Sequence, residues 1–381
     1  MNNIKIISGK KLNITVYCYD HINNPRCGGG GALREFTVHK LLSSKHNIRL
    51  YCGNFIGAKE IKEKNFIVKF LGCKKNYILS RISFSVLATI HSLFSSSDII
   101  AIPYSIFSPV LTFLFKPQKT VILFFHITGK EVFKKYNIFG IFPWIFEKIA
   151  LYFGKNYITL TQNMAQNIAS KRTNVKIVAG YVGFDNTLLT ESFEDKNFIL
   201  YFGRIDVRMK GIDILISAFE KIAPQNIEHK LIIAGRGKES NINWVERRIN
   251  NSSYFNKIQL IVNPDDKLKK ELLSTCSFVC LPSRYEGWNI TVIEASACSK
   301  AVIGTKIHGL MDAIKDEETG ILVESENVFE LAYKMQLLID NLELRKTLGR
   351  NGYKWAQNFT WEKVSDIQNK FYLEVNKNTG K

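Results

Sequence analysis

FVCLPSRYEGWNITVIEASACSKAVIGT, residues 278–305, changes character three times. It opens with a short apolar run, FVCLP (278–282), of the kind that forms a strand buried on both faces. A loop, Ser283 to Gly287, comes next, followed by NITVIEASAC, an apolar helix whose free amides Asn289 can cap. AVIGT (301–305) then reads as another strand. Strand, loop, helix and strand in that order make the βαβ unit of a parallel sheet.

The same alternation extends in both directions. Upstream in the second half come FILYFG (198–203), KLIIAG (230–235) and KIQLIV (257–262), with GIDILISAFEKIA (211–223) as a helix of clear three-to-four periodicity. An earlier series reads as strands at NITVYCY (13–19), IRLYCG (48–53), IIAI (99–102), TVILFFH (120–126) and YITL (157–160), with helices expected at 31–44 and 142–153. The two series meet at a loop near Gly183. At 381 residues the chain exceeds what one core usually serves, so two doubly wound α/β halves are expected. No short internal repeat or low-complexity tract interrupts them, and Lys377 to Lys381 reads as a frayed tail.

Composition narrows the partners. The chain is 46% hydrophobic and 23% charged, which fits a globular core. Its 52 Lys and Arg against 34 Asp and Glu leave a formal charge of +18, favouring an anionic partner: nucleic acid, a phosphorylated ligand or an acidic membrane surface. With no RNP1-type aromatic motif, zinc-finger spacing or heptad-bearing basic region, no nucleic-acid partner is expected. The seven cysteines are scattered and no signal peptide precedes them, so reduced thiols in a cytoplasmic protein are expected. Cys276 and Cys280 lack a second pair, and they read as small core residues rather than zinc ligands. No metal is expected. The longest uncharged run, IIAIPYSIFSPVLTFLF (99–115), falls short of the roughly 20 apolar residues of a spanning helix. Pro103 and Pro109 break it into a buried strand, a turn at 103–105 and an apolar helix ending before Lys116.

Ligands of open parallel sheets collect beyond the carboxyl ends of strands. After FILYFG stands Arg204, and Lys210 immediately precedes Gly211 and the next helix, so two cations there can clasp an anion. Gly235-Arg236-Gly237 after KLIIAG permits close backbone approach. In the opening stretch a helix start beside a glycine turn offers N–H groups to a phosphate. Glu286 lies on the loop and Glu294 in the helix's second turn, so the two carboxylates can hold two hydroxyl-bearing parts of one ligand. Phosphates between two hydroxyl-bearing parts describe a nucleotide-diphosphate sugar.

PSRYEGWNITVIEASACSKAVIGTKIHGLMDAIKDEETGILV (282–323) resembles the donor-site signature of the family 4 retaining glycosyltransferases. FGRIDVRMKGIDILISAF resembles that family's Gly-Arg…Lys-Gly element; GGALRE (30–35) its Gly-Gly loop; FFHITG places His126 at its active-site histidine; and YVGFD (181–185) resembles its interdomain segment. The elements stand in family order. The resemblance implies the GT-B fold, two Rossmann-like doubly wound domains facing across a cleft. The first would cover 1–187, completed by a C-terminal helix at 361–376, and the second, binding the donor, 188–360.

It also implies roles. Arg204 and Lys210 would bind the diphosphate and stabilise the leaving nucleotide, Glu286 would contact the transferred sugar, and Glu294 the ribose. His126 would position the sugar or contribute its backbone carbonyl near the anomeric carbon, and Gly30 and Gly31 would allow close backbone approach in the cleft. Gly203, Gly235, Gly237, Gly287, Trp288, Asn289 and Ile290 complete the implied donor site. The partners implied are a UDP- or GDP-sugar and a glycan or lipid-linked acceptor, with retention by front-face attack and no metal or other cofactor. The chain departs from the family pattern at Gly287-Trp288-Asn289 for Gly-Phe-Gly and at Cys298-Ser299-Lys300-Ala301 for Cys-Gly-x-Pro. Asp312 stands for glutamate, and Tyr181-Val182 for Pro-Asn. KEVFKKYNIFGIFPWIFEKIALYFGK (130–155) mixes lysines with aromatics, and peripheral attachment to the cytoplasmic face of an anionic membrane is expected of it. The alternative reading is a non-catalytic nucleotide-sugar-binding subunit of a glycan-assembly complex.

Overall fold

The computed structural model describes residues 10–109, 111–129, 132–133, 137–191 and 194–377. The cationic start of the 130–155 stretch, at Lys130, Glu131 and residues 134–136, and the expected tail beyond Lys377 lie outside them. Two compact units divide the chain, one of residues 1–181 and 362–381, the other of 182–361.

The first unit is an eight-stranded sheet in the order β3-β4-β2-β1-β5-β6-β7-β8. Its strands are β1 (Asn13–Tyr17), β2 (Asn47–Gly53), β3 (Ile61–Lys62), β4 (Phe66–Leu71), β5 (Ile99–Pro103), β6 (Thr120–Phe124), β7 (Asn156–Thr159) and β8 (Lys176–Ala179). All pairings are parallel except the short β3 against β4. Every residue of β5, β6 and β7 is buried, as a strand covered by helices on both faces requires. The helices are α1 (Gly30–Leu42), α2 (Tyr77–Phe94), α3 (Thr112–Phe115), α4 (Ile141–Phe153) and α5 (Gln162–Ala169). The 99–115 run resolves into β5, a turn and α3, as its prolines dictate. Among the described residues the one helix long and apolar enough to cross a membrane is instead α2.

The second unit is a six-stranded parallel sheet, β11-β10-β9-β12-β13-β14. Its strands are β9 (Phe198–Ile205), β10 (Lys230–Gly237), β11 (Ile258–Val262), β12 (Phe278–Leu281), β13 (Val302–Thr305) and β14 (Ile321–Val323). Around them lie α6 (Val207–Lys210), α7 (Ile212–Ile222), α8 (Glu239–Asn250), α9 (Asp266–Thr275), α10 (Ile290–Ala297), α11 (His308–Met311), α12 (Val328–Asp340) and α13 (Leu342–Ala356). Helix α7 buries Ile212, Leu215, Ile216, Phe219 and Ile222, the stripe its periodicity implies. Cys276 and Cys280 are buried core residues, and all seven cysteines are free thiols.

The segment after Tyr181 joins the second unit because it packs there: a Cβ on Gly183 would meet the Trp361 ring at 2.4 Å, and Phe184 N donates to Phe359 O at 3.2 Å. The last helix, α14 (Trp361–Lys377), belongs from Glu362 onward to the first unit. Buried Arg34 fixes it there, donating to Gln368 Oε1 at 2.9 Å while also reaching Tyr181 O at 2.6 Å and Gly180 O at 3.1 Å. His39 Nε2 lies 3.0 Å from Tyr372 Oη on the same helix.

Candidate functional site

In each sheet the strand order reverses beside the first strand of the unit, β1 in one and β9 in the other. The crevice expected at such a switch point lies between β9 and β12 in the second unit. The residues singled out from sequence follow those two strands. Arg204 stands at the end of β9, exposed, in register with Arg236 of β10, while Gly203 pairs with Gly235 and Ile205 with Gly237. Tyr201, fully buried below, donates its hydroxyl to Arg204 O at 2.7 Å. Burial above all, then the nearby Glu286 carboxylate, pushes the Tyr201 phenol well above its ordinary range, so it stays a donor.

The chain then turns sharply. Asp206 caps α6 by accepting from Met209 N at 3.0 Å, and the four-residue helix ends with Lys210. Gly211 follows at φ +66°, and a Cβ there would lie 2.0 Å from Pro282 O. The basic turn therefore rests directly on the chain leaving β12. Arg284 N donates to Met209 O at 3.0 Å, and the Arg284 guanidinium forks onto both Asp213 oxygens at 2.8 Å while also gripping Glu326. The two carboxylates raise the Arg284 pKa further, and the guanidinium in turn lowers that of Glu326. Two residues on, Glu286 closes an ion pair with Lys210. From the other side α11 supports the loop, since a Cβ on Gly309 would sit 2.3 Å from Glu286 O.

Helix α10 carries the second acid. Asn289 Oδ1 accepts from Thr291 N at 3.0 Å, capping the helix, and Glu294 is buried one turn further on. Its partner is Lys269 of α9, at 2.5 Å, whose ammonium also lies 5.6 Å from the centre of the Phe202 ring on β9. The buried Trp288 ring packs on Phe359 with centroids 5.3 Å apart, so its indole serves the core, and what it offers a ligand beside Gly287 and Ile290 is backbone. Ser299 occupies φ +56°, where the resembling pattern has glycine, and its hydroxyl donates to Thr190 O at 2.9 Å.

In the first unit Gly30 opens α1, and a Cβ on Gly31 would meet the Phe125 ring at 3.1 Å. His126 is exposed on the loop after β6. Buried Glu147 of α4 fixes that loop, accepting from Thr128 N at 2.7 Å and Gly129 N at 2.8 Å. Among the described residues no cluster of three or more His, Cys, Asp or Glu side chains could hold a metal.

Sequence reasoning passed over Lys269, Tyr201, Arg284, Gly309 and Glu147. Lys269 is one of three lysines in DKLKKELLST, and nothing local distinguishes it. Tyr201 reads as strand core. Gly309 had a weak signal, a glycine inside an otherwise helical HGLM.

Paired cations, a glutamate on the strand-end loop and another in the following helix thus converge on one switch point. Residues 190–355 match the family described as Glycosyl transferases group 1. The match covers the second unit and leaves the first outside it. A glycosyltransferase of Methanocaldococcus jannaschii is 38% identical over 181 residues, covering 48% of this chain and 49% of that protein. The alignment thus spans about half the length of that relative. The capsular polysaccharide biosynthesis glycosyltransferase CapM of Staphylococcus aureus is 28% identical over 272 residues, 64% of this chain and 68% of that protein. The crystal structure of Anabaena HepE in complex with UDP and glucose superposes with a TM-score of 0.73 at 17% identity, covering 94% of this chain and 98% of that one. The chain has the GT-B fold, each of its two units a Rossmann-like sheet.

Proposed function

We propose that the protein is a retaining glycosyltransferase that moves a sugar from a nucleotide-diphosphate donor to a hydroxyl of a lipid-linked or cell-surface glycan intermediate. The observation that carries this is the convergence of Arg204, Lys210, Glu286 and Glu294 at the β9/β12 switch point, with Lys210 already paired to Glu286. The match of residues 190–355 to the group 1 glycosyl transferases and the UDP and glucose bound by HepE support the donor class, and UDP is the nucleotide favoured.

In this reading the donor's C1–O bond to the β-phosphate breaks while the acceptor oxygen bonds C1 on the same face. The acceptor proton passes to a departing phosphate oxygen. Arg204 and Lys210 meet the charge that grows on the nucleoside diphosphate, a preorganised stabilisation needing no solvent rearrangement. Glu286 exchanges its Lys210 contact for sugar hydroxyls as Lys210 turns to phosphate, and Glu294, held by Lys269, accepts from the ribose. The two cations take the role a divalent ion fills in many phosphate-transfer sites, so turnover is expected to survive EDTA. We also propose residence at the cytoplasmic face of a membrane, supported by the exposed Phe142, Ile145, Tyr152 and Lys148 of α4.

The test is release of nucleoside diphosphate from UDP- and GDP-sugars with a lipid-linked saccharide acceptor, with the product's anomeric configuration read by NMR. Retained configuration, abolished by Glu286→Ala and reduced by His126→Ala without loss of nucleotide binding, is expected. Binding without turnover for every donor would favour a non-catalytic subunit.

A further inference from the structure

The first unit carries a cavity of about 330 Å³ that belongs to none of the residues assigned above. It lies at the carboxyl ends of β1, β2 and β4 and is lined by Tyr19, Arg26, Asn54, Lys74, Asn76 and Tyr77 among others. Its polar groups share one character. The Oδ1 atoms of Asn54 and Asn76 already accept backbone N–H groups, from Phe55 at 3.1 Å and Ile78 at 2.9 Å. What these side chains have left to offer is NH₂ donors, and Arg26 and Lys74 add only donors. Behind the lining, the Arg81 guanidinium stacks 4.6 Å from the Tyr77 ring centre and 4.9 Å from that of Tyr19. Its buried Nε has no hydrogen-bond partner among the described residues. Asp20, within the field of Arg81, accepts from the Cys27 thiol, and burial raises its pKa above the usual carboxylate value. A cavity of donors and cations between aromatic walls selects an anion that also carries sugar-like or planar surface.

From this cavity α2 runs outward with an unusual surface. Ser80, Phe84, Ala88 and Ser92 face the sheet, while Ile78, Leu79, Ile82, Val86, Leu87, Ile90 and Phe94 are exposed, Phe94 by 85%. Helix α3 touches both α2 and α4 and continues the apolar surface with exposed Leu114 and Phe115. The charge along this segment has one sign: residues 64–97 contain Lys64, Lys69, Lys74, Lys75 and Arg81 and no carboxylate, and none follows between Asp98 and Glu131.

We propose that the cavity and the α2 face together form the entry site for a membrane-embedded acceptor, a lipid whose phosphate-linked head enters the cavity while α2 lies in the acyl boundary of an anionic bilayer. This rests on the glycosyltransferase reading for what is done with the acceptor, but not for its binding. An apolar face on a segment whose own charges, over residues 64–97, are all cationic is complementary to such a surface, whereas a soluble phosphate would leave it unused.

The full chain is sedimented with vesicles of phosphatidylcholine, of phosphatidylcholine with phosphatidylglycerol, and of phosphatidylcholine with a polyprenyl diphosphate. Binding to the second and tighter binding to the third are expected. Ile82→Asp/Ile90→Asp, on exposed positions, should lose binding to all vesicles. Arg26→Ala/Lys74→Ala should lose about tenfold, confined to the polyprenyl diphosphate increment. Both variants should keep the wild-type unfolding midpoint and the wild-type affinity for UDP, which reports on the donor site alone. Failure of UDP to bind the wild type would count against the donor reading and leave vesicle binding to be judged separately. The proposal is overturned if the wild type stays in the supernatant with every vesicle, or if the cavity variant keeps the increment. It is equally overturned if inorganic diphosphate binds the cavity without membrane recruitment, or if Ile82→Asp/Ile90→Asp instead dissociates a dimer.

Discussion

Gly211→Ala should damage both the stability and the chemistry of the second unit, by amounts the structure sets. Alanine at φ +66° carries the left-handed penalty of about 1–2 kcal/mol. Its Cβ would stand 2.0 Å from Pro282 O, closer than real contacts allow, so the chain after β12 must retreat by about 1 Å, at an overpacking cost of about 1–3 kcal/mol. A total near 3 kcal/mol corresponds to a fall of about 6–12 °C for a unit of this size. Because Glu286 lies on the displaced loop and Lys210 precedes the substituted residue, kcat/KM for sugar transfer should fall about 100-fold, the usual cost of a 1 Å misplacement. Gly309→Ala provides the comparison. Its Cβ, 2.3 Å from Glu286 O, pushes on the same loop from α11 without a positive φ, so it should lose similar activity with a smaller loss of stability. Thermal unfolding by calorimetry and initial rates on the same preparations measure both. An alanine at 211 that unfolds within 1–2 °C of wild type and turns over normally would refute the claim that this turn rests on the glutamate loop.

Lys269→Met should raise KM for the nucleotide sugar about tenfold with a smaller change in kcat, because it frees Glu294 without touching the reacting atoms. Arg34→Ala should cost about 3–5 kcal/mol in urea titrations, since it strands the buried Glu35 carboxylate and releases Gln368; Arg34→Met/Glu35→Leu should recover part of the loss. Burial lowers the pKa values of His21, His39, His46, His91 and His229, so the unfolded chain gains protons below about pH 6.5 that the folded chain refuses. Stability should therefore hold above that pH and decline as pH falls toward 5, and His39→Gln, which removes the group between Glu35 O and Tyr372 Oη, should flatten the decline.

The parts legible in the sequence were those written locally. FVCL, TVILF and the stripe of α7 announce themselves because a buried strand or an amphipathic helix leaves a periodic record of its surroundings. β8, KIVA, is short and half-buried, and β14 is only three residues, too brief for periodicity to speak. Helix α2 was missed for a different reason: its exposed face is apolar, so the usual contrast between inward and outward sides is absent. At the candidate site, loop position and residue type pointed to Arg204, Lys210, Glu286 and Glu294. Their supports were hidden, because Lys269 reaches Glu294 across 25 residues of chain and Gly309 matters only through a carbonyl that folding brings to it. Trp288 shows the converse, a conspicuous aromatic beside the glutamate whose ring is spent on Phe359.

Calorimetric titration of UDP into the wild-type chain and into Arg204→Met/Lys210→Met, each confirmed folded, tests the central claim most directly. One site per chain is predicted for the wild type, with affinity at least 100-fold weaker in the double variant, as expected when two charge-assisted contacts to a diphosphate are removed. Equal binding by the two proteins would place the nucleotide elsewhere and contradict the account.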